Sequence, residues 1–160
     1  MKNNQLMIYG AYGYAGELMV REAVAQGLRP IIAGRDDEKL KPIATELSLE
    51  CRAFGVRNTG SNLQDISVLL NCAGPFSATA EPLARACLAQ QIHYLDITGE
   101  IDIFRKCHAL DEEARQQNVL ILPGAGTDIV PTDCLAAMLK EKLPCLLYTS
   151  PSPRDSTSSR

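Results

Sequence analysis

The sequence predicts an α/β protein built around a doubly wound parallel sheet. Short apolar segments, each long enough for one strand, alternate with segments in which apolar residues recur at helical spacing. The strand segments are apolar on both faces, which is typical of a parallel sheet covered by helices on its two sides. A glycine-rich stretch directly follows the first of them. Right-handed crossovers between such strands produce the doubly wound arrangement.

Six strands and five helices are expected along the chain. The predicted strands are residues 5–9, 30–33, 51–54, 68–72, 92–97 and 119–122. The predicted helices are residues 17–26, a segment that Asp36 caps and that ends near residue 47, and residues 81–90, 101–117 and 132–142. Residues 58–62 are expected to form a turn. Pro42 is expected to distort the second helix or to delay its start.

The composition limits the classes of partner. The chain has 160 residues, enough for one domain, and 46% of them are hydrophobic and 22% charged. Its formal net charge is −3 and it has no dense run of Lys and Arg, so we expect no nucleic-acid partner. No apolar stretch approaches the ~20 residues that a membrane span needs, so we expect no membrane partner either.

The cysteines indicate a reducing environment. Six of them occur singly, without a Cys-x-x-Cys pair. This pattern favours buried thiols and argues against a zinc site. The polar N-terminal residues do not resemble a signal peptide. We therefore expect a cytoplasmic protein that holds no metal.

The composition changes abruptly at Cys145, and serine and threonine dominate from there to Arg160. One interpretation is a disordered, linker-like tail. We favour another, because the segment that begins Cys-Leu-Leu-Tyr-Thr-Ser resembles the translation of a sequencing-library adapter. On that interpretation residues 1–144 form the natural domain, and residues 145–160 are non-native.

Gly10, Gly13 and Gly16 form a G-x-x-G-x-x-G pattern between the first strand and the first helix. Gly10 permits a tight turn, Gly13 lets the backbone approach a diphosphate, and Gly16 lets the helix pack closely on the strand. The N–H groups at the helix N-terminus favour the same anion. This context predicts a Rossmann-type NAD(P)-binding domain, whereas the alternative is a plain strand-to-helix turn. The predicted cofactor contacts in this loop are Gly10, Ala11, Tyr12, Gly13, Tyr14 and Gly16.

Arg35 follows the second strand. NAD-binding domains usually place an acidic residue there, which binds the ribose 2′-hydroxyl. A carboxylate would repel a 2′-phosphate, whereas a guanidinium binds it through paired, charge-assisted hydrogen bonds. We therefore predict NADP as the cofactor, with Asp36 and Asp37 directed to the following helix. The alternative for Arg35 is a solvated surface charge.

Cys72, Ala73 and Gly74 lie at the end of the fourth strand and just after it, beside the point where the strand order reverses and ligands bind in open α/β sheets. We predict that these small residues let the cofactor lie against the backbone; the alternative is a tight strand-to-loop exit. Asp96 lies at the end of the fifth strand and Glu100 follows that strand, and both could orient substrate or transfer a proton. They could equally cap the next helix and hold the loop, which is the role we favour.

Two further features of the sequence bear on catalysis. His93 and His108 are isolated in the sequence, so structural or solvent-facing roles are expected for both. No tyrosine is followed four positions later by lysine. This argues against the tyrosine–lysine acid catalysis of short-chain dehydrogenases, which share this fold.

These residues resemble the NADP-binding domain of the saccharopine dehydrogenase-like family. The resemblance rests on the 10–16 glycine loop with Ala33-Gly34-Arg35, on residues 71–76, and on residues 94–100 with 126–133. It implies an NADP(H)-dependent oxidoreductase with a second, mixed α/β domain that binds substrate and often mediates homodimerisation. This sequence lacks that second domain, so we expect a chain truncated before it.

The leading hypothesis is an oxidoreductase that moves hydride between NADPH and a small carbonyl, imine or alkene substrate. The alternative is a non-catalytic NADP-binding regulator or interaction protein with the same fold. The sequence identifies no catalytic residue. Without its second domain, the chain is expected to bind cofactor weakly, to show no turnover, and to leave apolar surface uncovered at the end of the sheet.

Overall fold

The computed structural model describes residues 5–126 and 129–142. The strands are β1 (Leu6–Tyr9), β2 (Ile31–Gly34), β3 (Cys51–Ala53), β4 (Val68–Asn71), β5 (His93–Asp96) and β6 (Ile121–Leu122). The helices are α1 (Tyr14–Ala25), α2 (Asp37–Leu47), α3 (Phe76–Ala89), α4 (Ile101–His108), α5 (Asp111–Gln116) and α6 (Val130–Lys142), and Gly60–Leu63 form a 3₁₀ turn. The tail that we interpret as non-native, residues 145–160, lies outside the described residues.

All neighbouring strands are parallel, and their order in the sheet is β3-β2-β1-β4-β5-β6. In this order the chain starts in the middle of the sheet, builds one half outward, and then crosses back to build the other half. β1 and β4 are adjacent at the crossover, where Tyr9 lies opposite Asn71. The predicted doubly wound parallel sheet is confirmed.

The two faces of the sheet pack against different helices. Successive strand residues point to opposite faces, so Ile8 packs with Val20 and Leu40 of α1 and α2. Its neighbour Met7 packs on the other face, in the cluster that includes Leu83 of α3. Because helices cover both faces, the strands are apolar almost throughout, as the sequence predicts.

On the face that carries α1 and α2, burial decreases toward β6. The strand register aligns Ile8, Leu70, Leu95 and Leu122 in one row across the sheet. Ile8 is 1% exposed, Leu70 and Leu95 are half-buried, and Leu122 is 42% exposed. The end of the sheet therefore presents apolar surface, as expected. No helix in the described part of the chain has the length and apolar character that a bilayer span requires.

Three helices begin earlier than the sequence predicts, and one of them is α6, which begins at Val130 and not at residue 132. α1 begins at Tyr14, not at residue 17, because Gly13 already has the extended backbone of an N-cap residue, with φ −78° and ψ 159°. α3 begins at Phe76, not at residue 81, and the extended Pro75 is its N-cap. Pro82 lies inside α3, where it removes a single backbone donor without ending the helix.

The remaining differences concern α2 and the predicted helix 101–117. Pro42 does not delay the start of α2, because the Asp36 cap fixes the helix to begin at Asp37. The 101–117 segment is two helices, since the chain turns after His108. This turn places Leu110, which is 4% exposed, in the core.

The turn from β1 to α1 leaves no room for side chains at two glycines. Gly10 has a φ of +84°, and a Cβ atom there would lie 2.7 Å from the backbone nitrogen of Ala73. A Cβ atom at Gly16 would lie 2.8 Å from the carbonyl carbon of Gly10. The opposing atoms are backbone, so they cannot rotate away. The helix therefore packs directly on the end of the strand, as the glycine pattern predicts.

We expect Gly16→Ala to lower the free energy of unfolding by about 1–3 kcal/mol, because the added methyl overpacks the β1–α1 contact. Urea denaturation followed by circular dichroism measures the change. Gly55→Ala is the matched control, since a Cβ atom there meets nothing within 4 Å. The control is expected to stay within about 0.5 kcal/mol of the wild type. Equal effects of the two substitutions would contradict the close packing at Gly16.

Candidate dinucleotide-binding site

A cleft of about 260 Å³ opens at the carboxyl ends of β1, β2 and β4. Its walls include the glycine turn after β1, the exit from β2 and the loop after β4, and Val56 and the start of α3 complete the lining. Segments that are distant in sequence therefore meet at one edge of the sheet. The predicted cofactor contacts that line this cleft are Gly10, Tyr12, Gly13, Arg35, Cys72, Ala73 and Gly74.

Three predicted contacts do not line the cleft. Ala11 is fully buried, and its N–H donates to the carbonyl oxygen of Ala33 at 3.1 Å. Gly16 packs against Gly10, and the side chain of Tyr14 is 86% exposed and lines a separate cavity. The prediction is corrected accordingly. Ala11 supports the turn, while Tyr14 and Gly16 contribute the backbone of the first helical turn.

The first turn of α1 offers N–H groups at the cleft. Among the described residues, the amides of Tyr14 and Ala15 have no acceptor, and the first backbone bond of the helix joins Glu17 N to Gly13 O at 2.8 Å. Gly13 lines the cleft as the N-cap residue and has no side chain that could cap these donors. A helix N-terminus of this kind binds an anion through its N–H groups and its positive dipole end.

The exit from β2 places a cation at the cleft. Arg35 is exposed and makes no hydrogen bond or ion pair with any residue that the structure describes. The next two carboxylates are engaged on α2. Asp36 Oδ1 accepts hydrogen bonds from two backbone amides at 3.1 and 3.3 Å, and Asp37 pairs with Lys41 Nζ at 2.6 Å. The predicted capping role of Asp36 is confirmed, and neither carboxylate neutralises Arg35.

A buried polar network joins the ends of β4 and β5. Tyr94 Oη donates to Asp96 Oδ2 at 2.9 Å and accepts from Asn71 Nδ2 at 3.1 Å. Asn71 Oδ1 in turn accepts from the backbone nitrogen of Ala73 at 3.0 Å. All three side chains are fully buried. The network therefore fixes the position of the loop that forms one wall of the cleft.

Asp96 extends the network to the loop after β6. Its Oδ1 accepts hydrogen bonds from Thr98 N at 3.0 Å and from Gly124 N at 2.9 Å. Protein donors occupy both oxygens, so the contacts of Asp96 favour the loop-holding role over proton transfer. Glu100 is similar, because its Oε1 accepts from Phe76 N at 3.2 Å and holds the start of α3. The Glu100 side chain does not cap α4, which differs from the expected capping role.

Burial raises the pKa of three side chains at or near the cleft, Cys72, Tyr9 and Tyr94. Burial raises the pKa of the Cys72 thiol to about 12, with a smaller contribution from the charge of Asp96. It also raises to about 12 the pKa of Tyr9, whose hydroxyl donates to the carbonyl oxygen of Phe54 at 2.9 Å. Burial and the nearby Asp96 raise the pKa of Tyr94 strongly. Cys72 is therefore a neutral packing residue and not a thiolate nucleophile.

The sequence gives a partial signal for the buried network. Asn71 interrupts an apolar strand, and a buried amide needs hydrogen-bond partners. No feature of the neighbouring sequence distinguishes Tyr94, because its contact with Asn71 depends on the register that sets Asn71 opposite Asp96. His93 has the expected structural role, since its Nδ1 accepts from Leu120 N at 3.0 Å. Across residues 5–126 and 129–142, no group of three His, Cys, Asp or Glu side chains is placed to hold a metal ion.

A second cavity, of about 280 Å³, lies between α1 and the loops that follow β5 and β6. It shares no lining residue with the cleft. Its larger side chains are those of Tyr14, Leu18, Met19, Ile97 and Ile129. This cavity is therefore mainly apolar, in contrast to the charged rim of the cleft.

The cleft fits a phosphorylated dinucleotide. Gly10 and Gly13 present backbone without side chains, the first turn of α1 offers N–H groups, and Arg35 has no anionic partner among the described residues. These are the features that a diphosphate and a ribose 2′-phosphate require. Together with the strand order, they define the class of protein as a Rossmann-type dinucleotide-binding domain.

Comparison with known proteins identifies the family. The family model described as the saccharopine dehydrogenase NADP binding domain matches residues 6–122. The chain therefore belongs to this family, and NADP is the cofactor of the domain. The resemblance that the sequence motifs indicate is confirmed.

Individual relatives agree with this assignment. The saccharopine dehydrogenase-like oxidoreductase of Rattus norvegicus is 27% identical in an alignment that covers 81% of this chain and 35% of that protein. A putative trans-acting enoyl reductase of Mycobacterium tuberculosis is 27% identical in an alignment that covers 80% of this chain and 33% of that protein. The chain thus spans about a third of the length of these relatives.

A solved structure shows the same fold. The apo saccharopine dehydrogenase (L-Glu forming) of Saccharomyces cerevisiae matches with a TM-score of 0.74 and 12% sequence identity. The match covers 88% of this chain and 31% of that one. At this identity the likeness concerns the fold alone.

We expect Tyr94→Phe to lower the free energy of unfolding by about 1–3 kcal/mol, because Asp96 loses its phenolic donor and Asn71 loses an acceptor. Urea denaturation measures the change. Tyr14→Phe is the matched control, since Tyr14 is 86% exposed, and its effect is expected to stay within about 0.5 kcal/mol. A Tyr94→Phe protein as stable as the wild type would contradict the network.

Proposed function

We propose that this chain is the cofactor-binding part of an oxidoreductase that transfers hydride between NADPH and a small carbonyl, imine or alkene substrate. The observation that carries the proposal is the position of Arg35 in the cleft beside the glycine turn. Among the described residues, this cation has no anionic partner. The family and the relatives named as oxidoreductases support the reaction class. The name of the mycobacterial relative, a putative trans-acting enoyl reductase, supports an alkene among the substrate options.

In this proposal the diphosphate of the cofactor binds the N–H groups of the first turn of α1. Gly10 and Gly13 have no side chains, so phosphate oxygens can approach the backbone closely. Cys72, Ala73 and Gly74 form the opposite wall. This wall carries no charge that would repel phosphate, because burial holds the Cys72 thiol neutral with a pKa of about 12.

Arg35 accounts for the choice of NADP over NAD. Its guanidinium presents paired N–H donors that match the oxygens of a phosphate, and arginine stays charged in proteins. NAD carries a hydroxyl at this position of the ribose, so it forms no comparable charge-assisted contact. The cation at the exit from β2 therefore favours the phosphorylated nucleotide.

The described residues supply binding and orientation, while bound NADPH would supply the hydride. The buried phenols of Tyr9 and Tyr94 are already engaged, because they donate to the carbonyl oxygen of Phe54 and to Asp96. We place the proton donor, the substrate contacts and a homodimer interface in the part of the protein that this chain does not span. The chain alone is then expected to bind NADPH weakly and to show no turnover.

A non-catalytic NADP-binding regulator or interaction protein is the second candidate. Burial at the cleft favours it, because it raises the pKa of Cys72 and of Tyr9 to about 12, far from the range that suits proton transfer at neutral pH. Turnover assays of the full-length protein with NADPH and carbonyl, imine and alkene substrates discriminate the two candidates. Cofactor binding without oxidation of NADPH would support the regulator.

We also propose a cytoplasmic location for the protein. The described cysteines, five in number, are all free thiols. Thiols that do not pair are typical of a reducing compartment. Fractionation of cells that express the full-length protein tests this proposal, and recovery in an organelle fraction would contradict it.

We expect Arg35→Ala to weaken NADPH binding by about tenfold or more and to leave NADH binding nearly unchanged, because only NADPH carries the 2′-phosphate. Isothermal titration calorimetry of the 160-residue chain with both nucleotides measures this. Arg105→Ala is the matched control, since Arg105 is exposed, pairs with Asp102 at 3.2 Å and does not line the cleft.

Equal losses of NADPH and NADH affinity in the Arg35 variant would remove Arg35 from the selecting role. A wild-type chain that is folded and binds neither nucleotide would overturn the proposed function as a whole.

A further inference from the structure

We propose that Lys39 is a second, specificity-determining cation for the 2′-phosphate of NADP, and that the ring of Tyr12 holds it in place. The inference rests on the proposed function, in which this phosphate lies beside Arg35. Lys39 lies within the first turns of α2, beyond the capping residue, so neither the glycine pattern nor the exit from β2 points to it.

The two cations border the same space. Arg35 and Lys39 line a shallow depression of about 460 Å³ together with Tyr12. Tyr12 and Arg35 also line the cofactor cleft, so the depression and the cleft adjoin. A ribose phosphate at the β2 end of the cleft would therefore meet both positive side chains.

The position of Lys39 is set before any ligand binds. A Cβ atom at Gly34 would lie 2.6 Å from Tyr12 Cε1, so the ring packs directly on the backbone of β2. Lys39 Nζ lies 5.6 Å from the centroid of that ring. An ammonium group within about 6 Å of an aromatic face is attracted to it. Packing of Tyr12 on Gly34 thus places the ammonium group near Arg35.

Three carboxylates also border the depression, but other groups engage them. Asp37 and Glu38 both pair with Lys41, at 2.6 and 3.2 Å. Asp36 accepts hydrogen bonds from α2 amides, and its second oxygen lies 3.6 Å from Lys39 Nζ. That long contact joins two exposed groups, so it is weak. A phosphate competes well for Lys39, because it carries more charge and offers more acceptor oxygens.

The test compares Lys39→Met with Lys106→Met in the 160-residue chain. Both substitutions remove one positive charge from an exposed helix surface. Lys106 of α4 is the matched control, because it lies 3.7 Å from Glu81 and lines neither the depression nor the cleft. Calorimetric titrations use NADPH against NADH, and 2′,5′-ADP against 5′-AMP, so that each pair differs at the 2′-phosphate. Urea denaturation of each variant verifies that the helix is intact.

We expect Lys39→Met to weaken the binding of NADPH and 2′,5′-ADP by about tenfold and to leave NADH and 5′-AMP within about twofold. Lys39→Arg keeps the cation and is expected to retain the preference for the nucleotides that carry a 2′-phosphate. Lys106→Met is expected to preserve the NADPH-to-NADH affinity ratio.

The outcomes separate this inference from the proposed function. If Lys39→Met preserves the affinity ratio while Arg35→Ala lowers it, the second cation is wrong and the proposed function stands. If Lys106→Met lowers the ratio as much as Lys39→Met does, the effect is one of net charge and the inference is again wrong. If the folded wild-type chain binds neither nucleotide, both the inference and the proposed function fail.

Discussion

Direct contact between backbones at the β1–α1 turn determines the shape of the binding edge. Gly10 packs on Ala73, and Gly16 packs on Gly10, so strand, helix and loop meet without an intervening side chain. Because the turn lies so close to the β4 loop, the N-terminus of α1 and the exit from β2 face the same small cleft. A side chain at either glycine would push the helix away from the strands. The first-turn amides would then move away from Arg35, and one dinucleotide could no longer reach both.

The buried hydrogen-bond network at the ends of β4 and β5 stabilises the loops around this cleft. Burying the side chains of Asn71, Tyr94 and Asp96 costs hydration, and their mutual hydrogen bonds offset that cost. In the described part of the chain, no buried side-chain nitrogen or oxygen lacks a partner. A fully satisfied network is rigid, so it holds the loops after β4, β5 and β6 in fixed relative positions. The apolar strands thus contribute most of the burial, while their polar ends define the shape of the site.

The strands and the glycine turn could be predicted because their determinants are local. All six strands lie within two residues of the predicted positions. The hydrogen bond from Asn71 to Tyr94 could not be predicted, because it depends on the register between β4 and β5. The break before α5 could not be predicted either, since it depends on the core burying Leu110. The position of Lys39 beside Tyr12 could not be predicted either, because this contact joins α2 to the turn after β1.

Cofactor binding and proton transfer make different demands on charge in the proposed function. Burial raises the pKa of Tyr9 and of Cys72 to about 12 and raises that of Tyr94 further, so these groups stay protonated at neutral pH. A general acid works best when its pKa lies near the working pH, and none of the three satisfies that condition. In the proposal, Arg35 and Lys39 attract phosphate at one end of the cofactor and take no part in proton exchange at the other. The chain spans about a third of the length of the relatives it matches, and the proposal assigns the proton that accompanies hydride transfer to a group other than these three.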